Sequence, residues 1–558
     1  MAQKNAAHQS AGRKSAARKS AARKPGARSR PGGRSAAPTP PVAHLERERK
    51  YESDPGDAGR TLPSLSSLTS LTGADPMPGV ARGVAAPTEL LDAVYYDTPD
   101  RRLLARRITL RRRTGGHDAG WHLKLPATDG ARMELRLPLP LPLSDEGDPA
   151  VPEELAARVR AYVRDAWLAP VARLRTERQR TLLEDAGGRA VVELADDTVT
   201  AETLDPSGAV SQSVSWREVE AELVGGEPAP GDTALLDGVE DLLLAAGLRR
   251  SGSGSKLARA LGQPPVVTDT AAAVPGSIGA LLGALLRQQV DQLLTLDAEV
   301  RRDTPDSVHQ MRITARRLRS TLRVHERLLR LPAVAGLEEE LRWLGQTLGA
   351  ARDREVLGER LLLDLAELPA AERPGPMRRR LTAWSRRGYA AAWRRATKEL
   401  DGARYFALLD TLDAVATRPP LRKRADRPAG PQVRLLLGRE QRRACGRVAA
   451  ALALPPGSER DEAMHAARRA SKRARYAGEG AGQPRFAVTM KALQTVLGER
   501  QDALLAAQAL PEIAAAATTA GESAFGYGVL YARQRAAVTA AEAEVPARYA
   551  AALAARLG

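Results

Sequence analysis

The sequence of 558 residues predicts an α+β region of antiparallel strands, followed by an all-α region. The first part of this prediction rests on residues 42–261, where apolar and charged residues alternate in short runs between Gly-rich turns. The second part rests on residues 276–545, where apolar residues recur at helical spacing and Pro or Gly clusters separate the segments. The helical part also repeats itself, because two motifs return in the same order about 150 residues later.

The composition points to a polyanionic partner and excludes several classes of protein. The net charge is +18 and the pI is about 10.3, which favours binding to nucleic acid, an acidic membrane surface or polyphosphate. Cys445 is the only cysteine, so the chain has neither an intrachain disulfide nor a Cys-based zinc site. No apolar run reaches the length of a membrane span, and the N-terminus lacks the apolar core of a signal peptide. We therefore expect a cytoplasmic protein that does not enter a membrane.

A basic segment, residues 1–41, precedes the predicted strands. It holds four lysines, six arginines and no acidic residue, and residues 11–25 repeat a five-residue unit, AGRKS-AARKS-AARKP. A five-residue period does not match the 3.6-residue helical turn, and Pro and Gly residues follow, so we predict a disordered tail. Two interpretations stay open, because the tail either binds polyanions without specificity or only keeps the chain soluble.

The predicted domain boundaries follow these changes in pattern. Residues 42–262 contain a hairpin signal, ITLRRRTGGHDAGWHLKL, in which two alternating runs flank a Gly-rich turn. Near their end, DTALLDGVEDLLLAAGL predicts a helix that begins at an aspartate cap. A Pro-bearing linker, 263–275, leads to the helical domain, 276–545, and residues 546–558 form a C-terminal tail.

The predicted strands carry charged side chains on one face, although an antiparallel sheet usually turns an apolar face to its core. In HLERERKYE, alternate residues place Glu46, Glu48 and Lys50 on the same face. A second acidic strand carries Glu220 and Glu222 in the same way. Basic side chains alternate in other strands, at Arg111, Arg113, Lys124, Arg136, Arg173 and Arg175. Acidic and basic faces therefore lie on different strands, and several of them have an apolar opposite face.

These faces would fit together if the sheet closed into a barrel with one acidic and one basic wall around a wet interior. Carboxylates bind hard divalent cations such as Mg²⁺ or Mn²⁺, whereas Arg and Lys bind phosphate oxygens. A metal-bound chain of phosphates would satisfy both walls. The alternative is that each charged strand face is only a solvated surface.

This part of the chain resembles the CYTH family, the triphosphate tunnel metalloenzymes. The resemblance rests on Glu46-x-Glu48-x-Lys50, on AVYYDTPDRRLLARRITLRRRTGG and WHLKLP, and on the closing SKLARAL, and it covers residues 42–262. It implies an eight-stranded antiparallel tunnel barrel that hydrolyses triphosphate compounds or, in some members, cyclises ATP.

The same resemblance implies a role for individual residues of the tunnel. Mg²⁺ or Mn²⁺ would bind at Glu46, Glu48, Glu220 and Glu222, with Glu134, Glu193 and Asp197 as further contributors. The residues that would hold the phosphates and act in catalysis are Lys50, Arg111, Arg113, Lys124, Arg136, Arg173, Arg175 and Lys256.

Each repeat of the helical region begins with a basic stripe at spacings of three and four residues, which is one face of a helix. The stripe of the first repeat, VHQMRITARRLRSTLR, includes His309, Arg312, Arg316 and Arg319. The stripe of the second repeat, MHAARRASKRARYAGE, consists of His465, Arg468, Lys472 and Arg475. Both stripes are followed by L-G-x-x-x-D, which ends at Asp353 in one repeat and at Asp502 in the other. Stacked like charges destabilise a helix by a few tenths of a kcal/mol per pair, and a bound polyanion would reverse that effect.

The two repeats resemble the two halves of a CHAD domain, the conserved-histidine α-helical domain, over residues 276–545. The resemblance implies a pseudo-symmetric pair of four-helix bundles with a basic groove that binds polyphosphate. It assigns the polyphosphate surface to the eight stripe residues, with Arg317 and Arg473 as neighbours. Asp353 and Asp502 are then expected to be structural partners of arginines.

Together, these patterns predict metal-dependent hydrolysis of inorganic triphosphate or polyphosphate, in a protein that associates with polyphosphate granules. Three alternatives stay open. The strand-rich part would act on a nucleoside triphosphate by hydrolysis or cyclisation, or both parts would only bind polyphosphate and target the protein to granules. In the third, the tail and the stripes would bind nucleic acid, although aromatic stacking platforms are sparse. The sequence leaves the identity of the metal and the oligomeric state open.

Overall fold

The computed structural model describes residues 41–53, 79–127, 131–139, 150–225, 232–262 and 273–555. The predicted basic tail, apart from residue 41, and most of the predicted linker lie outside these residues. Within the described residues, one antiparallel sheet is followed by a helical domain, which confirms the predicted fold class.

The sheet contains eleven strands in the described part of the chain. They are β1 (Val42–Glu46), β2 (Glu48–Ser53), β3 (Arg82–Ala85), β4 (Glu89–Asp97), β5 (Thr109–Thr114), β6 (Gly120–Pro126), β7 (Arg132–Leu137), β8 (Ala169–Glu184), β9 (Ala190–Leu204), β10 (Val210–Leu223) and β11 (Leu248–Arg250). Their order is β1-β7-β6-β5-β4-β8-β9-β10-β2-β11, with β3 paired to β8, and every pairing is antiparallel.

The ladder of hydrogen bonds is not closed, which differs in detail from the predicted eight-stranded barrel. The first strand is interrupted at Arg47, where it changes partner, because β1 pairs with β7 and β2 pairs with β10. The Leu223 N–H donates to the Arg47 carbonyl at 3.1 Å, so β10 still contacts the chain at the interruption. Counting β1 and β2 as one strand and leaving aside the short β3 and β11 gives the eight predicted strands.

Helices cover the outer face of the sheet, and this arrangement turns the charged face inward. The helices of this region are α1 (Arg102–Ala105), α2 (Glu153–Val163), α3 (Asp232–Ala245) and α4 (Lys256–Ala260). On the outer face, Trp121 and Leu123 of β6 are buried in one cluster with Leu155 of α2, and Val219 of β10 packs with Val239 of α3. Because strand residues alternate between faces, the charged neighbours of these residues point to the interior.

The helical domain begins after the linker and contains ten described α-helices. They are α5 (Ile278–Arg301), α6 (Ser307–Val324), α7 (Leu331–Val334), α8 (Leu337–Ala366), α9 (Met377–Leu400), α10 (Ala403–Thr417), α11 (Ala429–Leu452), α12 (Ser458–Gly480), α13 (Pro484–Thr519) and α14 (Phe525–Ala554). The last helix contains Pro546 and continues to Ala554, past the predicted end of the domain. No helix among the described residues has the length and apolar character needed to cross a bilayer.

The two predicted repeats occupy equivalent helices. The stripe of the first repeat lies on α6, which packs on α8, and the stripe of the second lies on α12, which packs on α13. The helices α6 and α12 contact each other, so the two basic stripes meet. Their apolar faces share one core, in which Met311 and Leu318 of α6 and Met464 of α12 are buried.

The sheet and the helical domain are joined by a cluster of ion pairs beside the packed helices α2 and α5. Arg164 is buried, and its Nη2 donates to the Asp413 carboxylate while its Nε lies 3.0 Å from Asp410. Arg106 contacts both Asp413 and Asp291, with 2.5 Å between Arg106 Nη1 and Asp291 Oδ1. Asp413 of the helical domain therefore pairs with two guanidinium groups of the sheet region.

We predict that Asp413→Asn lowers the free energy of unfolding by roughly 2 kcal/mol, because it leaves buried Arg164 without its main counter-ion. Urea titration followed by tryptophan fluorescence measures this change. The matched control is Asp410→Asn, since the Asp410 side chain is 62% exposed and its loss should cost under about 1 kcal/mol. Equal effects of the two variants would contradict the prediction.

Candidate functional site

The four carboxylates expected to bind a metal lie together on the inner face of the sheet. In the pairing of β2 with β10, Glu48 lies opposite Glu222 and Lys50 lies opposite Glu220. Glu46 is on the same face at the end of β1 and is buried. The change of partner at Arg47 keeps this face continuous, so residues from the first and the last long strands meet there.

A second acidic group lies next to them on β9 and β10. The carboxylate oxygens of Asp197, Glu218 and Glu220 lie within 4.8 Å of one another. The ammonium of Lys256 occupies the space between them, with Nζ at 2.9 Å from Asp197, 2.8 Å from Glu218 and 2.7 Å from Glu220. Lys256 reaches this position because it is the first residue of α4, which the Ser255 side chain caps by accepting from the Ala258 N–H at 3.1 Å.

Asp197, not its neighbour, is the residue of β9 that points inward. It is fully buried and accepts from Arg178, whose Nε lies 2.8 Å from Asp197 Oδ1. Asp196 points to the outer face, where Arg217 Nε donates to its Oδ1 at 2.8 Å. The sequence ELADD leaves this choice open, and the register of β8 with β9 decides it by placing Arg178 opposite Asp197.

Lys50 connects the two acidic groups. Its ammonium contacts Glu220 and lies 3.3 Å from Glu48 Oε1. Burial acts against the charge of Lys50, but Glu220 and Glu48 outweigh it and raise the pKa of the ammonium. Burial likewise opposes the charge of Glu48, and Lys50 and Lys124 hold the pKa of that carboxyl below its ordinary value.

Glu222 is the one member of the predicted metal set that forms no ion pair with any described residue. Burial raises its pKa to about 8, and the negative charges of Glu46, Glu48 and Glu220 add to this effect, while Lys124 opposes it. Carboxylates are good ligands for a hard divalent ion. Among the described residues, the carboxylates close enough together to share one ion are Asp197, Glu218 and Glu220, and they become available only if Lys256 moves to another anion. Glu46 and Glu48 are paired with Lys124 and Lys50, so Glu46, Glu48 and Glu222 would have to approach one another to bind the same ion.

A basic wall faces these carboxylates across strands β5, β6 and β7. Lys124 Nζ lies 2.5 Å from Glu46 Oε2, and Arg136 Nη2 lies 3.6 Å from Glu46 Oε1. Arg111 donates to the Tyr95 hydroxyl at 3.2 Å, and Arg113 contacts the Asp118 carboxylate. Burial and the charge of Arg111 lower the pKa of Arg113 to about 10.

His122 and Glu134 lie within the basic wall, and the sequence analysis assigns no role to the histidine. His122 is 1% exposed, its Nδ1 is 2.9 Å from Glu134 Oε1, and its Nε2 is 2.9 Å from the Asp118 carbonyl. Burial lowers the pKa of His122 to about 4, with a further contribution from Arg111. Glu134 also accepts from Arg136, so it holds the histidine and the arginine in place together.

Two predicted phosphate ligands, Arg173 and Arg175, lie on the outer face of β8. Arg173 donates to Asp92 through Nε at 2.9 Å, and Arg175 donates to Glu202 at 3.0 Å. Their side chains are 45% and 50% exposed, whereas that of Arg178 is 15% exposed. The structure does not bring these two residues to the site.

The interior cations of β8 are Arg178 and Arg180. Arg180 Nη2 lies 2.7 Å from Glu193 Oε2. Glu193, one of the further contributors predicted for the metal site, therefore has a basic partner. They share their face of β8 with Leu174, which packs against Leu257 of α4 at an apolar end of the interior. The expectation failed because it took the whole interior to be charged, whereas only one end of it is.

The basic stripes of α6 and α12 line a cavity of about 600 Å³ between the two repeats. Six of the eight predicted residues line it, namely Arg312, Arg316, Arg319, His465, Arg468 and Lys472. His309 and Arg475 lie outside the lining, and Arg475 pairs instead with Glu479 at 3.3 Å. Further arginines line the cavity as well. Arg323 continues the stripe of α6 and Arg473 is a predicted neighbour, whereas the sequence pattern did not include Arg342, Arg443, Arg447 and Arg469. No carboxylate is among the described residues that line it.

The repeated L-G-x-x-x-D motif fixes one arginine of each stripe. Arg312 crosses α8 at Gly349, where an added Cβ would lie 3.2 Å from its Nε, and reaches Asp353 at 3.0 Å. In the second repeat, Arg468 crosses α13 at Gly498 and reaches Asp502 at 3.3 Å. The glycine leaves room for the guanidinium and the aspartate orients it, as the expected structural role of the two aspartates requires.

Comparison with known proteins divides the chain in the same way. The family model of the CYTH domain matches residues 79–261, and that of the CHAD domain matches residues 284–511. Uncharacterized proteins from two strains of Mycobacterium tuberculosis are 40% identical over 510 residues, which cover 88% of this chain and 93% of theirs.

Two solved structures illustrate the separate domains. The CHAD domain from the plant Ricinus communis is 25% identical, with a TM-score of 0.41, and the match covers 51% of this chain and 94% of that one. HpAC1 from Hippeastrum, described as having a dominant triphosphatase activity, is 16% identical, with a TM-score of 0.20, and the match covers 40% of this chain and 98% of that one. From the two family models and the full-length relatives, we conclude that the chain belongs to the proteins in which a CYTH domain is followed by a CHAD domain.

Proposed function

We propose that the CYTH domain hydrolyses phosphoanhydride bonds of inorganic triphosphate and polyphosphate with the help of Mg²⁺ or Mn²⁺, and that the CHAD domain binds polyphosphate. One observation carries the catalytic part of the proposal. Carboxylates and cations of the interior interlock on one face, with Lys50, Lys256 and Arg178 all contacting Glu220. A ligand that carries both a metal ion and phosphate groups would replace these contacts, because it offers a cation to the carboxylates and an anion to the basic side chains.

Binding of such a ligand would exchange partners without leaving a buried charge unpaired. The cations Lys50, Lys256 and Arg178 would turn from Glu220 to phosphate oxygens, and the freed carboxylates would face the metal. A bound divalent cation would supply charge neutralisation and polarisation of the phosphoryl group during attack by water. Glu46, Glu48 and Glu222 would hold this cation. Glu220 would lie between them and the second acidic group, which contains Asp197.

The basic wall would stabilise the leaving phosphate. Arg111, Arg113, Lys124 and Arg136 lie on adjacent strands, where Arg111 pairs with His122 and His122 pairs with Arg136 across the ladder. Guanidinium groups in this geometry would each donate hydrogen bonds to phosphate oxygens and stabilise the negative charge that develops as the bond breaks. His122 and Glu134 would keep Arg136 oriented, because Glu134 contacts both.

The groove of the CHAD domain suits capture of a long polyanion. Its lining contains ten arginines and one lysine and no carboxylate among the described residues, so the empty groove has a strong positive potential. Polyphosphate held there would be concentrated near a tunnel in the same chain. Capture of this kind would also bring the protein to polyphosphate granules in the cytoplasm.

The proposal is tested by phosphate release from tripolyphosphate, long-chain polyphosphate and ATP in the presence of Mg²⁺ or Mn²⁺. Glu48→Gln and Lys50→Ala should each lower kcat by at least ~100-fold, because the first removes a proposed metal ligand and the second removes a proposed contact to the phosphates. Absence of release from every substrate by the wild type would overturn the catalytic part. A clear preference for ATP would overturn the choice of inorganic substrate.

We predict that Arg178→Ala lowers kcat by at least ~100-fold, since the interior guanidinium contacts both Asp197 and Glu220. Arg173→Ala is the matched comparison, because that arginine lies on the outer face with Asp92. It should change kcat by less than about threefold. The reverse order of effects would contradict the assignment of β8 faces.

We predict that Glu222 makes the protein less stable as pH rises. Its folded pKa of about 8 lies above the ordinary value of 4.5, so the folded state holds a proton between these values that the unfolded chain has lost. In EDTA, Glu222→Gln should therefore be more stable than wild type at pH 8.5 by at least ~1 kcal/mol and nearly equal to it at pH 4.5.

Urea titration at each pH provides the measurement, with Glu202→Gln on the outer face as the control. The control should follow the wild-type profile within about 0.5 kcal/mol. Added Mn²⁺ should stabilise the wild type and leave Glu222→Gln nearly unchanged. If the stability of wild type and that of Glu222→Gln depend on pH in the same way, the raised pKa of Glu222 is refuted.

We predict that Arg316→Glu weakens binding of long-chain polyphosphate by at least ~10-fold and reduces the dependence of affinity on salt, because one cation of the groove is reversed. Arg386→Glu makes the same charge change on the exposed face of α9 and serves as control. Fluorescence anisotropy at 50 and 200 mM salt measures both effects. Equal losses in the two variants would show that only the net charge matters.

A further inference from the structure

The two repeats differ at one position of the basic stripe. His309 corresponds to His465 and Arg312 corresponds to Arg468, and the next member is Arg316 in α6 but Lys472 in α12. Both residues line the cavity between the repeats. The chain therefore places a lysine among arginines at the third position of one stripe only.

The surroundings of Lys472 are almost entirely cationic. Its ammonium forms no ion pair with a described residue, and Asp502, the carboxylate that α13 turns toward it, is already contacted by Arg468 at 3.3 Å. The other charged or titratable groups around the cavity come from α6, α8, α11 and α12. They are Arg312, Arg316, Arg319, Arg323, Arg342, Arg443, Arg447, His465, Arg468, Arg469, Arg473 and Tyr476.

A lysine responds to such surroundings in a way that an arginine does not. A guanidinium stays charged in proteins, whereas an ammonium can release its proton when burial and like charges oppose it. Burial, followed by the charges of Arg468 and Arg316, lowers the pKa of Lys472 to about 6. At neutral pH the empty groove therefore contains a neutral amine, and it becomes a cation only when negative charge arrives.

We propose that Lys472 is a specificity-determining residue of the groove, which becomes charged only on polyanions with closely spaced negative charges and thereby favours inorganic polyphosphate over nucleic acid. The proposal rests on the proposed function of the CHAD domain as a polyphosphate-binding module. In linear polyphosphate, successive phosphates share a bridging oxygen, whereas a sugar separates the phosphates of RNA. Polyphosphate therefore places more negative charge near the amine of Lys472 than RNA does, and this charge offsets more of the free-energy cost of protonating it.

Arginine at this position would remove the discrimination. A permanently charged groove attracts any polyanion, so Lys472→Arg should raise affinity for RNA more than affinity for polyphosphate. Lys472→Met keeps an unbranched side chain, one atom shorter, that cannot become charged, so it should lose part of the polyphosphate affinity at every pH. Both variants should therefore lower the preference for polyphosphate over RNA, Lys472→Arg by a gain of RNA affinity and Lys472→Met by a loss of polyphosphate affinity.

The test uses the full-length chain with Glu48→Gln, which keeps the polyphosphate from being hydrolysed. Binding of a length-defined polyphosphate and of single-stranded poly(U) is measured by calorimetry at pH 6.5, 7.5 and 8.5 in two buffers of different ionisation enthalpy. At pH 8.5, above the range in which His309 and His465 titrate, wild-type binding of polyphosphate should take up close to one proton. Lys472→Arg should abolish that uptake and improve the affinity for poly(U) at least fivefold relative to polyphosphate.

Lys491→Arg, the same change at an exposed lysine of α13 outside the cavity lining, is the control and should behave as wild type. Thermal melting shows whether each variant is folded. If wild type does not bind polyphosphate at any pH, the proposed function itself fails. If it binds polyphosphate but Lys472→Arg changes neither proton uptake nor selectivity, only the role of Lys472 is overturned.

Discussion

The structure depends on the requirement that a charge taken out of water must find a partner. The CYTH sheet turns its charged face to the interior, so every strand that contributes a carboxylate must meet a strand that contributes a cation. Glu220 shows the result most clearly, because Lys50, Arg178 and Lys256 all contact it. Breaking one such contact leaves a buried charge, which costs more than the net gain of forming the pair. The charged end of the interior is held by this mutual neutralisation, while apolar packing lies outside, against α2 and α3, and at the other end of the interior, against α4.

The CHAD domain handles charge in the opposite way. Its groove gathers cations without opposing carboxylates in the described lining, and the excess has to be tolerated by the fold. The apolar contacts of α6 and α12 with the core offset the repulsion between these cations. Aspartates outside the cavity lining also help, as Asp353 does by pairing with Arg312. Under the proposed function, one domain would bind phosphate by exchanging internal ion pairs, and the other would bind it through uncompensated positive potential. The first arrangement favours a ligand that brings its own cation, and the second favours a bare polyanion.

The fold class and much of both sites could be predicted from the sequence, because alternation and helical spacing are local patterns. Glu46, Glu48, Glu220 and Glu222 meet as expected, since alternation alone places them on inward faces that strand pairing then joins. The placement of Arg173 and Arg175 could not be predicted in this way, because it depends on which end of the interior is apolar, a property of packing against α4. The role of His122 was missed because its contact with Glu134 arises only through the pairing of β6 with β7. The cavity residues of α8 and α11 were missed because the stripe pattern describes one helix at a time.

The change of partner at Arg47 also governs the order in which the sheet can form. β1 pairs with residues as far along as Arg136, and β2 pairs with β10 and with β11 as far along as Arg250, so the first strand cannot be fully placed until β10 and β11 exist. During synthesis, residues 42–53 must therefore wait while most of the sheet is made, with their charged face in water. Pairings between such distant residues slow folding, because loop closure precedes the contacts that reward it. The strand that brings Glu46, Glu48 and Lys50 to the site is thus expected to complete the CYTH fold, so that catalytic competence arrives as its last step.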